Sequence, residues 1–115
     1  MGIAALLFTI AALGGAVMAA MRLGGKELPP LWLALLHGAV AAAGLVTLLV
    51  AIKGGGASTI VLVAAGGFFV AALGGLTMFF LFHLKKRALP VPLMLGHAGV
   101  AVLSFIALLV ALFAT

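Results

Sequence analysis

Ala-Ala-Leu-Gly-Gly at residues 11–15 returns unchanged at residues 71–75. The offset is sixty residues, and it extends well beyond the pentapeptide. Sliding residues 1–55 onto 61–115 without a gap lands Met18 on Met78, Lys26 on Lys86 and Pro30 on Pro90. Val40 and Ala41 fall on Val100 and Ala101, and residues 48–51 fall on 108–111. About 20 of the 55 aligned positions are identical, against about 6 or 7 expected by chance in a chain so rich in Ala, Leu and Gly. The chain therefore reads as a tandem duplication, with residues 1–55 as the first unit and 56–115 as the second. His37 falls on His97. Two imidazoles at equivalent places in equivalent halves point to a site on the axis between them.

The composition says where such a chain must live. Of its 115 residues, 68% are hydrophobic, and only six Lys or Arg and one acid carry charge. The mean hydropathy is +1.55. A small water-soluble domain needs far more polar surface than this, so the outer face is expected to contact lipid. A bilayer core of about 30 Å takes about 20 apolar residues per helix, and the chain offers four such runs, at about 3–22, 30–52, 59–82 and 91–113. The expected fold is an all-α four-transmembrane-helix bundle made of two tandem, parallel helical hairpins. The absence of cysteine excludes disulfides, iron–sulfur clusters and thiolate metal sites. The net charge of +5 does not indicate nucleic acid, because the basic residues sit in short loops between apolar runs. No charged stretch precedes the first run, which is therefore expected to stay rather than be cleaved as a signal peptide. Met1-Gly2 lacks the Ser or Thr at position 6 that a myristoylation motif wants, since Leu6 stands there.

The connections set the orientation. The first carries Arg22, Gly24, Gly25, Lys26, Glu27, Pro29 and Pro30, where glycines end one helix and prolines open the next. The third repeats the plan with Lys85, Lys86, Arg87 and Pro90. The middle one, Lys53-Gly54-Gly55-Gly56-Ala57-Ser58, reads as a flexible linker, with Ser58 or Thr59 as N-cap. Five of the six basic residues lie in the first and third connections, which the positive-inside rule places in the cytoplasm. Both termini and the Lys53 loop are then outside, in what is expected to be a bacterial inner membrane. Each unit has two spans, so both insert in the same sense, related by an axis along the membrane normal. Each histidine follows its proline by seven residues, which puts both roughly 10 Å inside the cytoplasmic end of their helices.

Those two histidines are the candidate site. Ionisable groups inside a membrane are expensive and as a rule functional. Beyond each imidazole the helix face is small: Ala41 and Gly44 after His37, Ala101 and Ser104 after His97. Gly14, Gly15, Gly74 and Gly75 fall at about the same depth on the partner helices. Opposed imidazoles, a glycine-lined slot and a cationic rim of Arg22, Lys26, Lys85, Lys86 and Arg87 together describe a site for one haem b, with His37 and His97 as iron ligands. The cations would meet the anionic propionates.

Other readings of the same residues remain open. The glycines also suit packing alone, and the histidines also suit a structural or assembly subunit in which they only bridge helices. Met18 and Met78 are also mates, and two His with two Met would suit Cu(I). His83 falls on Leu23 and reads as a solvated interfacial residue near Lys85 and Lys86. Trp32 reads as an interfacial anchor. Small four-helix multidrug exporters have this length but carry an acid in the first helix, where this chain has only Phe8 and Thr9 among small apolar residues. No nucleophile–base arrangement or nucleotide loop is present.

Paired helices whose histidines grip a haem near one leaflet resemble the membrane b-type cytochromes, among them the cytochrome b561-like carriers and the haem-bearing anchor subunits of respiratory complexes. The resemblance rests on His37, His97 and their glycine and alanine surroundings. It implies electron transfer rather than stand-alone catalysis, with a quinone, a redox protein, a larger membrane complex or a homo-oligomer as partner. The b561-like carriers use two histidine pairs, one toward each leaflet, and this chain has one.

Overall fold

The computed structural model describes residues 1–114. It is an all-helical bundle of four long apolar helices: α1 (Gly2–Leu23), α2 (Leu31–Lys53), α3 (Thr59–Met78) and α4 (Val91–Phe113). α3 continues into a π turn over Phe79–His83. Each of the four is long and apolar enough to cross a membrane, and the body is 43 Å along its longest axis. A helix satisfies its own backbone, which is what lets so apolar a chain sit in lipid. The expected spans agree with these helices to within one residue or so at each end.

Local chemistry sets the ends. Pro30 and Pro90 stand at the N-caps of α2 and α4, and their carbonyls accept from Ala34 and Met94. Ser58 caps α3, its Oγ accepting from the Val61 amide. Past α1, the Lys26 amide donates to Met21 O and the Gly25 amide to Arg22 O, with Gly25 at φ 106°. This is a Schellman closure with glycine in the left-handed position. The α3 end closes in the same way, with Arg87 donating to Phe82 O and Lys86 to His83 O, but here the left-handed residue is Lys86. The closing bonds are offset by 61 residues rather than sixty. The π turn, in which the Leu84 amide reaches back to Phe79 O, absorbs the extra residue.

The helices pair as α1 with α2 and α3 with α4, and the hairpins meet through α1 against α4 and α2 against α3. α1 and α3, like α2 and α4, therefore face each other across the diagonal. The closed core lies at the end away from the short basic loops. It is assembled from residues sixty apart: Ala4 with Ala64, Ala5 with Ala65, Phe8 with Phe68 and Leu48 with Leu108. The Phe8 and Phe68 rings stack on the diagonal with centroids 3.7 Å apart and planes 1° from parallel. Large apolar side chains such as Ile3, Leu13, Leu36, Val63 and Leu103 point outward, as a lipid-facing surface requires.

At the aromatic level the close approach of α3 and α4 uses Gly67. A methyl on Gly67 would run into Ser104 Oγ, which donates 2.8 Å to Val100 O, whereas nothing lies within 4 Å of a methyl on the neighbouring Gly66. Gly67→Ala is expected to destabilise the bundle by about 1–3 kcal/mol, the usual effect of overpacking. Gly66→Ala should leave it unchanged or firmer, since Ala favours helix. Adding Ser104→Gly, which installs the residue found at the mate position Gly44, should recover most of the loss. Thermal unfolding in detergent checks all three.

Candidate functional site

His37 projects from α2 and His97 from α4, helices that face each other across the diagonal. Their ring centroids are 6.2 Å apart and their planes are 78° from parallel. Each ring is anchored inside its own hairpin. His37 Nδ1 lies 2.8 Å from Ala11 O on α1, and His97 Nδ1 lies 2.7 Å from Ala71 O on α3. A carbonyl only accepts, so both Nδ1 atoms carry the proton and donate. In the neutral ring Nε2 is left with a free lone pair, the tautomer that a metal-ligating histidine commonly holds through a carbonyl partner.

The second glycine of each pair makes room for this. A methyl on Gly15 would come 3.0 Å from His37 Cε1, and one on Gly75 would come 3.3 Å from His97 Cε1. Gly14 and Gly74 lie along the same rings, 3.9 and 3.6 Å from Nδ1 by the same measure. Gly15 and Gly75, expected to wall a slot, lie against Cε1 of the imidazoles, where they admit each ring to the neighbouring backbone.

The other expected site residues divide by depth. Ala41 and Ala101 are half-buried, one turn beyond the histidines. Gly44 and Ser104 are buried two turns beyond, at the level of the aromatic stack. A methyl on Gly44 would meet the Phe8 ring at 3.2 Å, and Ser104 fills the space left by Gly67. These two belong to the closed core rather than to the imidazole surroundings.

The cations lie at the other end. Arg22 Nε donates 2.8 Å to Leu89 O, tying the first connection to the third, and the Leu89 amide donates in turn to Glu27 O. Arg87 covers the Phe82 ring at 5.2 Å, while Lys26 and Lys85 are exposed. His83 is half-buried in the π turn beside Phe79, 5.7 Å between ring centroids, rather than fully solvated. Nothing in the sequence marks the π turn or the carbonyl partners, which are backbone groups. Phe8 and Phe68, which stack, carry the same sixty-residue spacing as the histidines.

The two depths also differ in closure. At the aromatic level Ala4, Ala64, Leu48 and Leu108 are completely buried. At the histidine level His37, His97, all four glycines, Val40, Val100, Met18 and Met78 are half-open. A groove of about 310 Å³ between α3 and α4 reaches His97 past Val70, Gly74, Pro92 and Gly96. At the mate positions of Pro92 and Gly96 the first hairpin carries Trp32 and Leu36.

Each imidazole keeps one nitrogen free of its carbonyl bond, and the ring centres stand 6.2 Å apart with their planes 78° from parallel. Two imidazoles with no thiolate or acid beside them are a donor set of the kind that ligates a haem iron. Among the described residues no three His, Cys, Asp or Glu side chains gather to hold a metal ion by themselves, so a metal here would draw its remaining ligands from elsewhere. Comparison with protein-family models, curated proteins and solved structures finds no match to this chain.

The hydrogen bonds give a direct expectation. ¹⁵N spectra of histidine-labelled protein in micelles, without added cofactor, should show His37 and His97 protonated at Nδ1 and bare at Nε2. The reverse tautomer in either ring would mean that its bond to Ala11 O or Ala71 O is not formed.

Proposed function

We propose that the protein binds one b-type haem through His37 and His97 and carries electrons at a membrane. The observation that carries this reading is the matched ring pair, 6.2 Å apart, with each Nδ1 already committed to a carbonyl. When bound, the haem supplies reversible one-electron chemistry. The carbonyls of Ala11 and Ala71 fix ring orientation and raise the basicity of Nε2. Gly15 and Gly75 hold the rings at the neighbouring backbone, and Arg22, Lys26, Lys85 and Arg87 form the cationic rim on the propionate side. The partner is a redox protein or a membrane quinone, for which the groove at His97 offers an apolar approach. One cofactor roughly 10 Å from the basic end leaves most of the bilayer uncrossed, so transmembrane transfer requires that partner.

The same hydrogen bonds favour a second reading, in which the histidines only clamp α1 to α2 and α3 to α4 in a structural subunit. The absorption spectrum separates the two. Haem-replete protein is expected to show a Soret band with sharp reduced α and β bands at about one haem per chain. His37→Ala or His97→Ala should abolish tight binding or turn the haem high-spin, while His83→Ala should leave the spectrum unchanged. Gly15→Leu should lower occupancy by displacing the His37 ring, and Gly2→Leu should not. No Soret band after reconstitution, with the histidine variants losing only thermal stability, would establish the clamp instead. Copper retained without a Soret band would point to the Cu(I) reading.

The orientation follows from charge. The first and third connections face the cytoplasm of a bacterial cell, with both termini and the Lys53 loop outside. A membrane-impermeant thiol reagent should label Lys53→Cys in intact cells and spare Lys86→Cys. The opposite pattern would place the histidine pair near the outer leaflet.

A further inference from the structure

A second cavity of about 310 Å³ lies at the basic end of the bundle, lined by Leu28, Pro29, Leu31, His83, Leu84 and Lys86. Its lining is mostly apolar, and the two lining residues with polar side chains are His83 and Lys86. It sits between the first and third connections, where helix gives way to loop, which in a membrane is the headgroup level. In the helix closure Lys86 takes the left-handed position that Gly25 holds after α1, and His83, whose carbonyl accepts from the Lys86 amide, stands where Arg22 does. The ammonium therefore comes from a place where the first hairpin carries no side chain. Lys86 is the one non-glycine residue with positive φ among the described residues, at 54°. Such a conformation disfavours a side chain with a Cβ, and strain of this kind concentrates where it serves a function. The π turn, another feature frequent at functional sites, ends on His83 and carries the one-residue shift that brings Lys86 into that position.

We propose that this cavity binds one anionic phospholipid, with its phosphate between Lys86 and His83 and an acyl chain along Leu28, Pro29, Leu31 and Leu84. Charge complementarity selects the occupant. Neither Arg22 nor Arg87 lines the cavity, whereas Lys86 does. Glu27, the single acid of the chain, is not among the lining residues. An apolar floor joined to a cationic rim suits an amphiphile rather than a free anion, and basic pockets beside membrane helices are known to take acidic headgroups. The site is independent of the histidine pair, and it occurs once per chain because the hairpins differ at the residues that line it.

Native mass spectrometry of the full chain, released from micelles containing phosphatidylglycerol, phosphatidylcholine or inorganic phosphate, tests the proposal. One phosphatidylglycerol should remain bound, and phosphatidylcholine should be held at least about fivefold more weakly, the factor expected for one basic group at an anionic headgroup. Lys86→Gly should lose phosphatidylglycerol by about the same factor, yet melt no lower than wild type in lipid-free detergent, because glycine accepts the left-handed backbone. Lys86→Asn, neutral and tolerant of that conformation, should behave alike and serves if the glycine variant folds poorly. Lys85→Ala, beside the cavity but not lining it, should retain the lipid. Equal retention of the two lipids would overturn the proposal, as would unchanged binding in both Lys86 variants, an equal loss in Lys85→Ala, or displacement of the lipid by phosphate.

Discussion

The hydrogen bond from each imidazole to a carbonyl on the adjacent helix is the constraint around which each hairpin is arranged. A histidine in hydrocarbon needs a partner for its N–H, and in a chain with one acid the nearest acceptors are backbone carbonyls. Reaching them requires the ring to lie against the neighbouring helix, and only a residue without Cβ leaves that room. Gly15 does so for His37 and Gly75 for His97, where a methyl would come within 3.0 and 3.3 Å of the ring. The repeated Gly-Gly and the repeated His are therefore two sides of one contact, made once in each hairpin.

Duplication then turns two hairpin contacts into an axial arrangement. Residues that face the axis in one half meet their own mates from the other, which is why Phe8 stacks on Phe68 and the two imidazoles approach each other. The aromatic level is closed by alanine and leucine pairs, and the histidine level is left half-open. Lipid offers little hydrophobic drive for helix association, so close packing must hold the bundle. The closed end meets that need.

Where the halves have drifted apart, each difference has a local consequence. Pro92 and Gly96 open a groove beside His97 where Trp32 and Leu36 stand in the first hairpin. Ser104 in place of Gly44 is accommodated by Gly67 in place of Leu7. The π turn and the left-handed Lys86 replace a plain glycine closure and shape the cavity between the connections. The symmetric residues serve the axis, and the asymmetric ones give the two sides of the bundle different surfaces.

The amino-acid sequence alone determined the four spans, their ends and the pairing of His37 with His97, because hydropathy, proline and glycine placement and a sixty-residue period are properties of the linear chain. It also marked Gly15 and Gly75 as neighbours of the histidines, since depth along a helix follows from residue count. Only the tertiary structure decided what those glycines touch, because the direction of a side chain depends on the rotation of each helix against its neighbour. It assigned Gly44 and Ser104 to the aromatic level and tied Arg22 to Leu89 O. It chose the carbonyls of Ala11 and Ala71 as partners, for every residue carries a carbonyl and the sequence marks none of them. The π turn at Phe79–His83 was hidden for the same reason. A gap-free alignment counts residues, and one extra residue wound into a wider turn leaves that count unchanged while it moves Lys86 into the place of a glycine.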